Sequence, residues 1–308
     1  MEKYMAAVEA GAAAFIFSSD QSGMLAPTGS IGKSTPAASL SREQAAHIRR
    51  LLAKGPVRTR LVLTSLTQPG IARNIVGEIP GNDPSQGWIV ACGHYDGHDI
   101  CQGAIDNAAA TAVLMEAARL LTPLREHIQV GIRFVLFSGE ELGLYGSYAY
   151  ATKHEDEMDS IRAVFNVDVV GMAMPLRLLP QSSPELSAWF NTLPLDELDV
   201  KVNDSPKSFI MNSDHFPFSE KGVQAVWAVT SSPGSSFHWG HTAADTLDKL
   251  EPRLLRMTAA SVTRLLLHMS ASAESLPSVR KTPEQVKQSL IDAGFEKSLR
   301  FQNHWPFS

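Results

Sequence analysis

The sequence predicts an α/β protein. Its expected form is a three-layer α/β/α sandwich around a mostly parallel sheet, preceded by a small partial α/β unit. Three observations predict it. Apolar runs of strand length alternate with segments of helical period through the middle of the chain. Val130–Phe137 is almost wholly apolar, as expected of a strand covered on both faces. His94, Glu140, Glu141, Asp168 and His241 each stand at or after the end of a predicted strand. Open α/β sheets collect their functional groups at that edge.

The bulk numbers set the frame. The chain has 308 residues, enough for one large domain with a smaller partner; 44% are hydrophobic and 19% charged, ordinary for a globular protein. A net charge of -5 argues against a nucleic-acid or anionic-membrane surface. Two cysteines make no disulfide framework. Cys92 reads as a small core residue, Cys101 as a loop bystander rather than a soft metal ligand. No run is long enough for a membrane helix. Ala6–Phe17 resembles a signal core, but Glu9 interrupts it and the leader lacks a positive bias. It reads instead as a helix ending near Gly11 and a strand over Ala13–Phe17, as in a chain that has lost its beginning.

Residues 1–70 form the first predicted unit. After the opening helix and strand comes a loop, Ser18–Ser39, rich in Gly, Pro, Ser and Thr. A helix over Ser41–Lys54 follows, with Ser41 as N-cap, and then a strand over Val57–Leu66. Gly29–Ser34 imitates a phosphate loop, but Pro27 occupies the first glycine position and Pro36 breaks the required helix. It reads as a plain surface loop.

Residues 71–275 form the second predicted unit. Strands are predicted at Ile75–Ile79, Trp88–Cys92, Val130–Phe137, Ala163–Val170 and Gln224–Thr230. Helices are predicted at Asn107–Leu121, with Val113, Leu114, Ala117 and Leu121 on one face, at Leu142–Ala151, and at Glu251–Ser272 with Pro252 in its first turn. Residues 276–308 form a C-terminal helical extension. Thr282 starts its helix, Gly294 ends it, and an amphipathic end carries Phe301, Trp305 and Phe307. That end either packs back on the body or meets a partner.

Two imidazoles and three carboxylates at one sheet edge suit zinc, with manganese or cobalt as substitutes. Asp106, at the mouth of a helix, is the natural carboxylate to bridge two ions about 3.5–4 Å apart. Glu140 and Glu141 are neighbours. In an extended segment one would bind metal while the other faces the attacking water as general base. Asp96, two residues beyond His94, is placed to accept the other imidazole N–H and fix its tautomer. An unpaired carboxylate at Asp168 in an apolar strand is costly without a partner. Asp214-His215 suggests a serine hydrolase, but no nucleophile elbow accompanies it, so the pair reads as scaffolding. His238 and His268 read as structural or solvated.

These residues lie in Gly93-His-Tyr-Asp96, Gly103-Ala-Ile-Asp-Asn107, Ser138-Gly-Glu-Glu-Leu-Gly143, Asn166-Val-Asp168, Ser213-Asp-His-Phe-Pro217 and His241-Thr-Ala-Ala-Asp-Thr246. In that order, the chain resembles the M28 family of zinc-dependent aminopeptidases and related carboxypeptidases. The resemblance implies two zinc ions: His94 and Asp168 on one, Glu141 and His241 on the other, Asp106 between them and Glu140 as the base. It implies a cis peptide bond after Asp106. It implies that the first unit is the later part of a protease-associated domain. It implies hydrolysis at a chain end of a peptide or small aminoacyl substrate, driven by a metal-bridging hydroxide. Relatives are commonly secreted or periplasmic, although no signal peptide is present here. Ala109-Ala110 replaces the family's Ser-Gly pair, with no loss of metal expected. His98, Gly240 and residues 97–102 depart from relatives and are expected to shape the substrate pocket. Two other readings stand beside this one: a glutaminyl-cyclase-like acyltransferase with one zinc, and an inactive peptidase-like binding module.

Overall fold

The computed structural model describes residues 2–29, 35–64, 66, 68–181, 183–203, 209–230, 238–271 and 276–307. The rejected phosphate-loop segment falls almost wholly at residues 30–34, outside the described residues.

The first unit contains α1 (Glu2–Glu9), β1 (Phe15–Ser18), β2 (Ala37–Leu40) and α2 (Arg42–Leu52). β1 and β2 pair in parallel. Ser41 caps α2 reciprocally with Gln44, as its position suggested: each side chain bonds the other residue's backbone N–H. The expected strand over Val57–Leu66 does not form among the described residues 57–64. Among the described residues no strand runs alongside to take its hydrogen bonds, and Val62 and Leu63 stand 63% and 49% exposed. Apolar composition without a neighbour does not make a strand.

The body contains β3 (Ile75–Ile79), β4 (Trp88–His94), α3 (Ala109–Leu121), β5 (Gly131–Phe137), α4 (Tyr145–Lys153), β6 (Ile161–Val167), β7 (Leu176–Pro180), α5 (Pro184–Phe190), α6 (Leu195–Leu198), β8 (Val200–Val202), α7 (Phe216–Glu220), β9 (Ala225–Val229) and α8 (Pro252–Ala271). Its strands form one seven-stranded sheet in the order β3-β5-β4-β6-β9-β7-β8. The central pairs β5–β4, β4–β6 and β6–β9 run parallel, as does β7–β8. β3–β5 and β9–β7 run antiparallel.

Alternate side chains of these strands enter two cores. Ile89, Ala91, Ile132, Phe134, Phe165 and Val226 face α3 and α8, with Val113, Leu114, Ala117, Val262 and Leu265. Val90, Cys92, Val135, Phe137 and Val164 face the opposite layer, with Tyr150, Ala151, Met158 and Phe218. This is the expected three-layer sandwich. Within β5, the buried Arg133 pairs with Glu78 at 2.6 Å and Glu157 at 2.7 Å and lies over the Trp88 ring. Its charge is therefore compensated on several sides.

The C-terminal extension packs back on the body through α9 (Pro283–Asp292) and α10 (Glu296–Gln302). Val286, Leu290 and Leu299 join Phe209 and Phe216, with Phe295, Trp305 and Phe307 against them. It also reaches the first unit. Phe301 meets Tyr4 edge to face, and Lys297 pairs with Glu9 at 3.0 Å.

Candidate metal centre

The sheet topology brings the expected side chains to one edge. His94 is the last residue of β4 and is buried. Gly93 before it allows the close approach of the next strand: a Cβ there would lie 2.5 Å from the Val167 carbonyl oxygen. Asp168 directly follows β6. The Glu140–Glu141 pair follows β5, and His241 lies beyond β9.

Asp106 stands in an irregular turn ahead of α3 rather than on the helix itself, which begins at Ala109. The Asp106–Asn107 peptide bond is cis, as the resemblance implied. Two side chains hold this turn. Asn107 donates to the Val167 carbonyl at 3.1 Å and accepts from the Val169 N–H at 3.2 Å. The Asp245 carboxylate accepts the N–H groups of Ile105 and Asp106 at 2.8 and 3.1 Å.

The ligand-type atoms converge. His94 Nε2 is 3.2 Å from Asp106 Oδ1 and 3.4 Å from Asp168 Oδ1. His241 Nε2 is 3.1 Å from Asp106 Oδ2 and 3.3 Å from Glu141 Oε2. The two oxygens of Asp106 thus serve two separate imidazoles. Atoms bound about 2.0–2.1 Å from one zinc ion stand about 2.9–3.4 Å apart at angles near 90–110°. All four separations lie in that range. Glu141 Oε1 and Asp168 Oδ1 are buried and make no hydrogen bond. Buried carboxylate oxygens of this kind are matched by a cation. The donor set and its spacing therefore fit zinc.

The electrostatics agree. Burial pulls the His94 imidazole down in pKa, but Asp106, Asp168 and Asp96 outweigh it and hold the ring well above its ordinary value. His241 moves up in the same way, with Asp106 overcoming burial. Burial raises the Asp106 carboxyl, yet the two imidazoles prevail and hold it well below the usual carboxylate range. Glu140 is pushed well up, first by lost hydration and then by Asp214, Asp168 and Asp106, against the pull of His94.

Two local expectations need correction. Glu140 and Glu141 lie on a turn, not an extended segment, so their side chains do not diverge: an oxygen of each lies within 4.8 Å of the other and of a His94 nitrogen. The Asp96 carboxylate stands beside His94 Nδ1 as expected, but at ion-pair rather than hydrogen-bond distance. His94 Nδ1 sits 3.1 Å from the Asp96 backbone oxygen and 3.6 Å from its carboxylate. That carboxylate instead accepts the N–H groups of Glu140 and Glu141, at 3.2 and 3.4 Å, and so holds the turn.

The remaining polar groups support the centre. Ser213 donates to Asp168 Oδ2 at 2.6 Å and accepts from Asn166 at 2.6 Å. His215 lies between Asn166 and the Ile210 carbonyl, and burial lowers it to about 4, so it is a neutral support. The Ser213–Asp214–His215 segment therefore builds no nucleophile. Asp245 was not singled out as functional from the sequence, and His98 was expected only to shape the substrate pocket. Asp245 lies in the His241–Thr246 motif, and His98 lies four residues beyond His94; that proximity was the only signal. His238 bonds Gln21 of the first unit at 2.6 Å, and Thr28 N–H donates to the His241 carbonyl at 2.7 Å.

Residues 74–266 match the profile of peptidase family M28. The chain is 28% identical over 230 residues to aminopeptidase YwaD of Bacillus subtilis, covering 71% of this chain and 49% of that protein. It is 26% identical over 244 residues to carboxypeptidase Q of Xenopus laevis, covering 79% and 51%. The chain thus spans about half the length of these curated relatives. It shares its fold with the crystal structure of BSAP, a zinc aminopeptidase from Bacillus subtilis: TM-score 0.65 and 23% identity over 91% of this chain and 70% of that one. With its profile match running from β3 into α8 and enclosing the whole ligand cluster, the chain belongs to peptidase family M28.

Proposed function

We propose that the chain is a dinuclear zinc exopeptidase, most readily an aminopeptidase, with residues 71–275 as its catalytic body. The observation that carries this reading is Asp106, whose two carboxylate oxygens each face a different imidazole. His94 and Asp168 would hold one ion, Glu141 and His241 the other, and Asp106 both. Bound there, two divalent ions supply Lewis acidity to the scissile carbonyl and to the attacking water.

The chain's own groups do the rest. Glu140 takes a proton from the water at its carboxylate and returns it to the leaving amine. Asp96 positions Glu140 and Glu141 through their N–H groups, and Asp245 positions Asp106. The likeness to YwaD, an aminopeptidase, supports the amino-terminal preference; the likeness to carboxypeptidase Q makes the carboxyl end the alternative to test.

The test combines metal counting with turnover of aminoacyl-nitroanilides. Two zinc ions per chain are expected, with activity lost to a chelator and restored by zinc. One ion per chain with cyclisation of an N-terminal glutamine would replace the reading by an acyltransferase. Two ions without turnover of amino- or carboxyl-terminal substrates would leave a binding module.

A further inference from the structure

We propose that His98 is a further metal ligand, joining Glu141 and His241 in one half of the centre and making the two halves unequal. This rests on the reading of the cluster as a metal centre. His98 Nε2 lies 2.8 Å from Glu141 Oε2, the same oxygen that His241 Nε2 approaches at 3.3 Å. The two rings meet edge to face with centroids 4.6 Å apart. One ligand atom from each of His98, Glu141 and His241 lies within 4.8 Å of the others.

An ordinary hydrogen bond from His98 to Glu141 does not account for this contact. The His98 side chain is 9% exposed, and its buried Nε2 makes no hydrogen bond: Glu141 lies off the direction in which the ring nitrogen can donate. Glu141 Oε1 beside it is also without a hydrogen bond. A cation between the two side chains satisfies both atoms, and the 2.8 Å separation stands close to the roughly 2.9 Å of two zinc ligands near a right angle.

The loop that carries His98 is built to hold it there. The Cys101 N–H and Sγ–H both donate to the His98 carbonyl, at 3.2 and 3.4 Å. Gln102 bonds the loop beyond His241 twice, donating its N–H to the Asp245 carbonyl at 3.1 Å and accepting from the Leu247 N–H at 2.8 Å. Gly97 is seated on the Asp106 turn: a Cβ there would lie 3.3 Å from Gly103 Cα and 3.4 Å from the Asp106 carbonyl oxygen. The loop is therefore fixed against both Asp106 and the segment bearing His241.

The half with His98 then has four protein donors: Asp106, Glu141, His241 and His98. The half with His94 has three: His94, Asp168 and Asp106. A four-ligand zinc site is closed, whereas a three-ligand site keeps a position open. The His98 half anchors its ion, and the His94 half offers its open position to substrate.

The test uses the full chain, with histidine labelled by nitrogen-15 and loaded with cadmium-113. Scalar coupling from cadmium to ring nitrogens of three histidines, His94, His98 and His241, is expected. Coupling to His94 and His241 alone overturns the inference and leaves the dinuclear reading intact. No cadmium binding overturns both. In a zinc titration followed by calorimetry, His98→Ala is expected to weaken one of two sites by about 100-fold and leave the other unchanged. Two sites with wild-type affinities in that variant also overturn it.

Discussion

Glu140 and its neighbours are where single side chains decide function. Glu140→Gln removes the proposed proton carrier but none of the expected ligands. Zinc content is expected to stay at the wild-type value while kcat falls by about 10²–10⁴; metal-loaded protein turning over at the wild-type rate would refute the role. Asp245→Asn halves the acceptor capacity that holds the Ile105 and Asp106 N–H groups. Zinc affinity is expected to drop about 10–100-fold, read by competition with a chromogenic chelator. Glu220 lies apart from the centre. Burial raises its carboxyl to about 7 from an ordinary 4.5, against the Tyr148 hydrogen bond and Lys221. The folded state thus binds this proton more tightly than the unfolded one, so its contribution to stability is greatest below pH 4.5, falls as pH rises to about 7 and is flat beyond. Glu220→Gln is expected to remove that decline and to stabilise the protein at pH 8 by about 2 kcal/mol, measured by urea unfolding at several pH values. Of the residues at the centre, those at or beyond strand ends were named from the sequence: His94, Glu141, Asp168 and His241, with Asp106 ahead of a helix. Asp245 was not, and His98 was read only as part of the pocket, because their partners lie far away in the chain and no spacing rule relates them. Asp96 was read as a partner of His94 and does stand 3.6 Å from its Nδ1, but its carboxylate also takes backbone donors that only the folded turn presents.

Among elements, those with a strong period or a cap could be read in advance. Ser41 and Thr282 each start the helix expected of them, and each does so through a reciprocal cap. Ser41→Ala and Thr282→Ala are each expected to cost about 1 kcal/mol, seen as lower midpoints of chemical unfolding. β4, β5, β6 and β9 were legible because both faces are covered and their residues are nearly all apolar. β7, β8, α5 and α6 escaped notice. They are short, and prolines at 175, 180, 184 and 194 break the stretch, so no period builds up. The failed strand at Val57–Leu66 is the opposite case, with suitable residues but no neighbour. β2 formed from the modest Ala37–Leu40 because β1 was there to pair with it. Strand formation in this chain follows the presence of a partner more closely than composition.

For the molecule as a whole, the acidic cluster links cation binding to stability. Zinc at 100 times its dissociation constant is expected to add about 2.7 kcal/mol per site, raising the melting temperature, with chelator reversing the gain. No change in melting with zinc would count against the metal centre. No helix of the described residues is long and apolar enough to cross a membrane. The first unit is also wired into the centre: the Thr28 amide hydrogen rests on the carbonyl of His241, itself at a positive φ of 57°. Locking His241 in place should therefore quieten a distant stretch of chain. Solvent deuterium should enter the Thr28 amide more slowly once cations are bound, making that proton a reporter of occupancy outside the pocket.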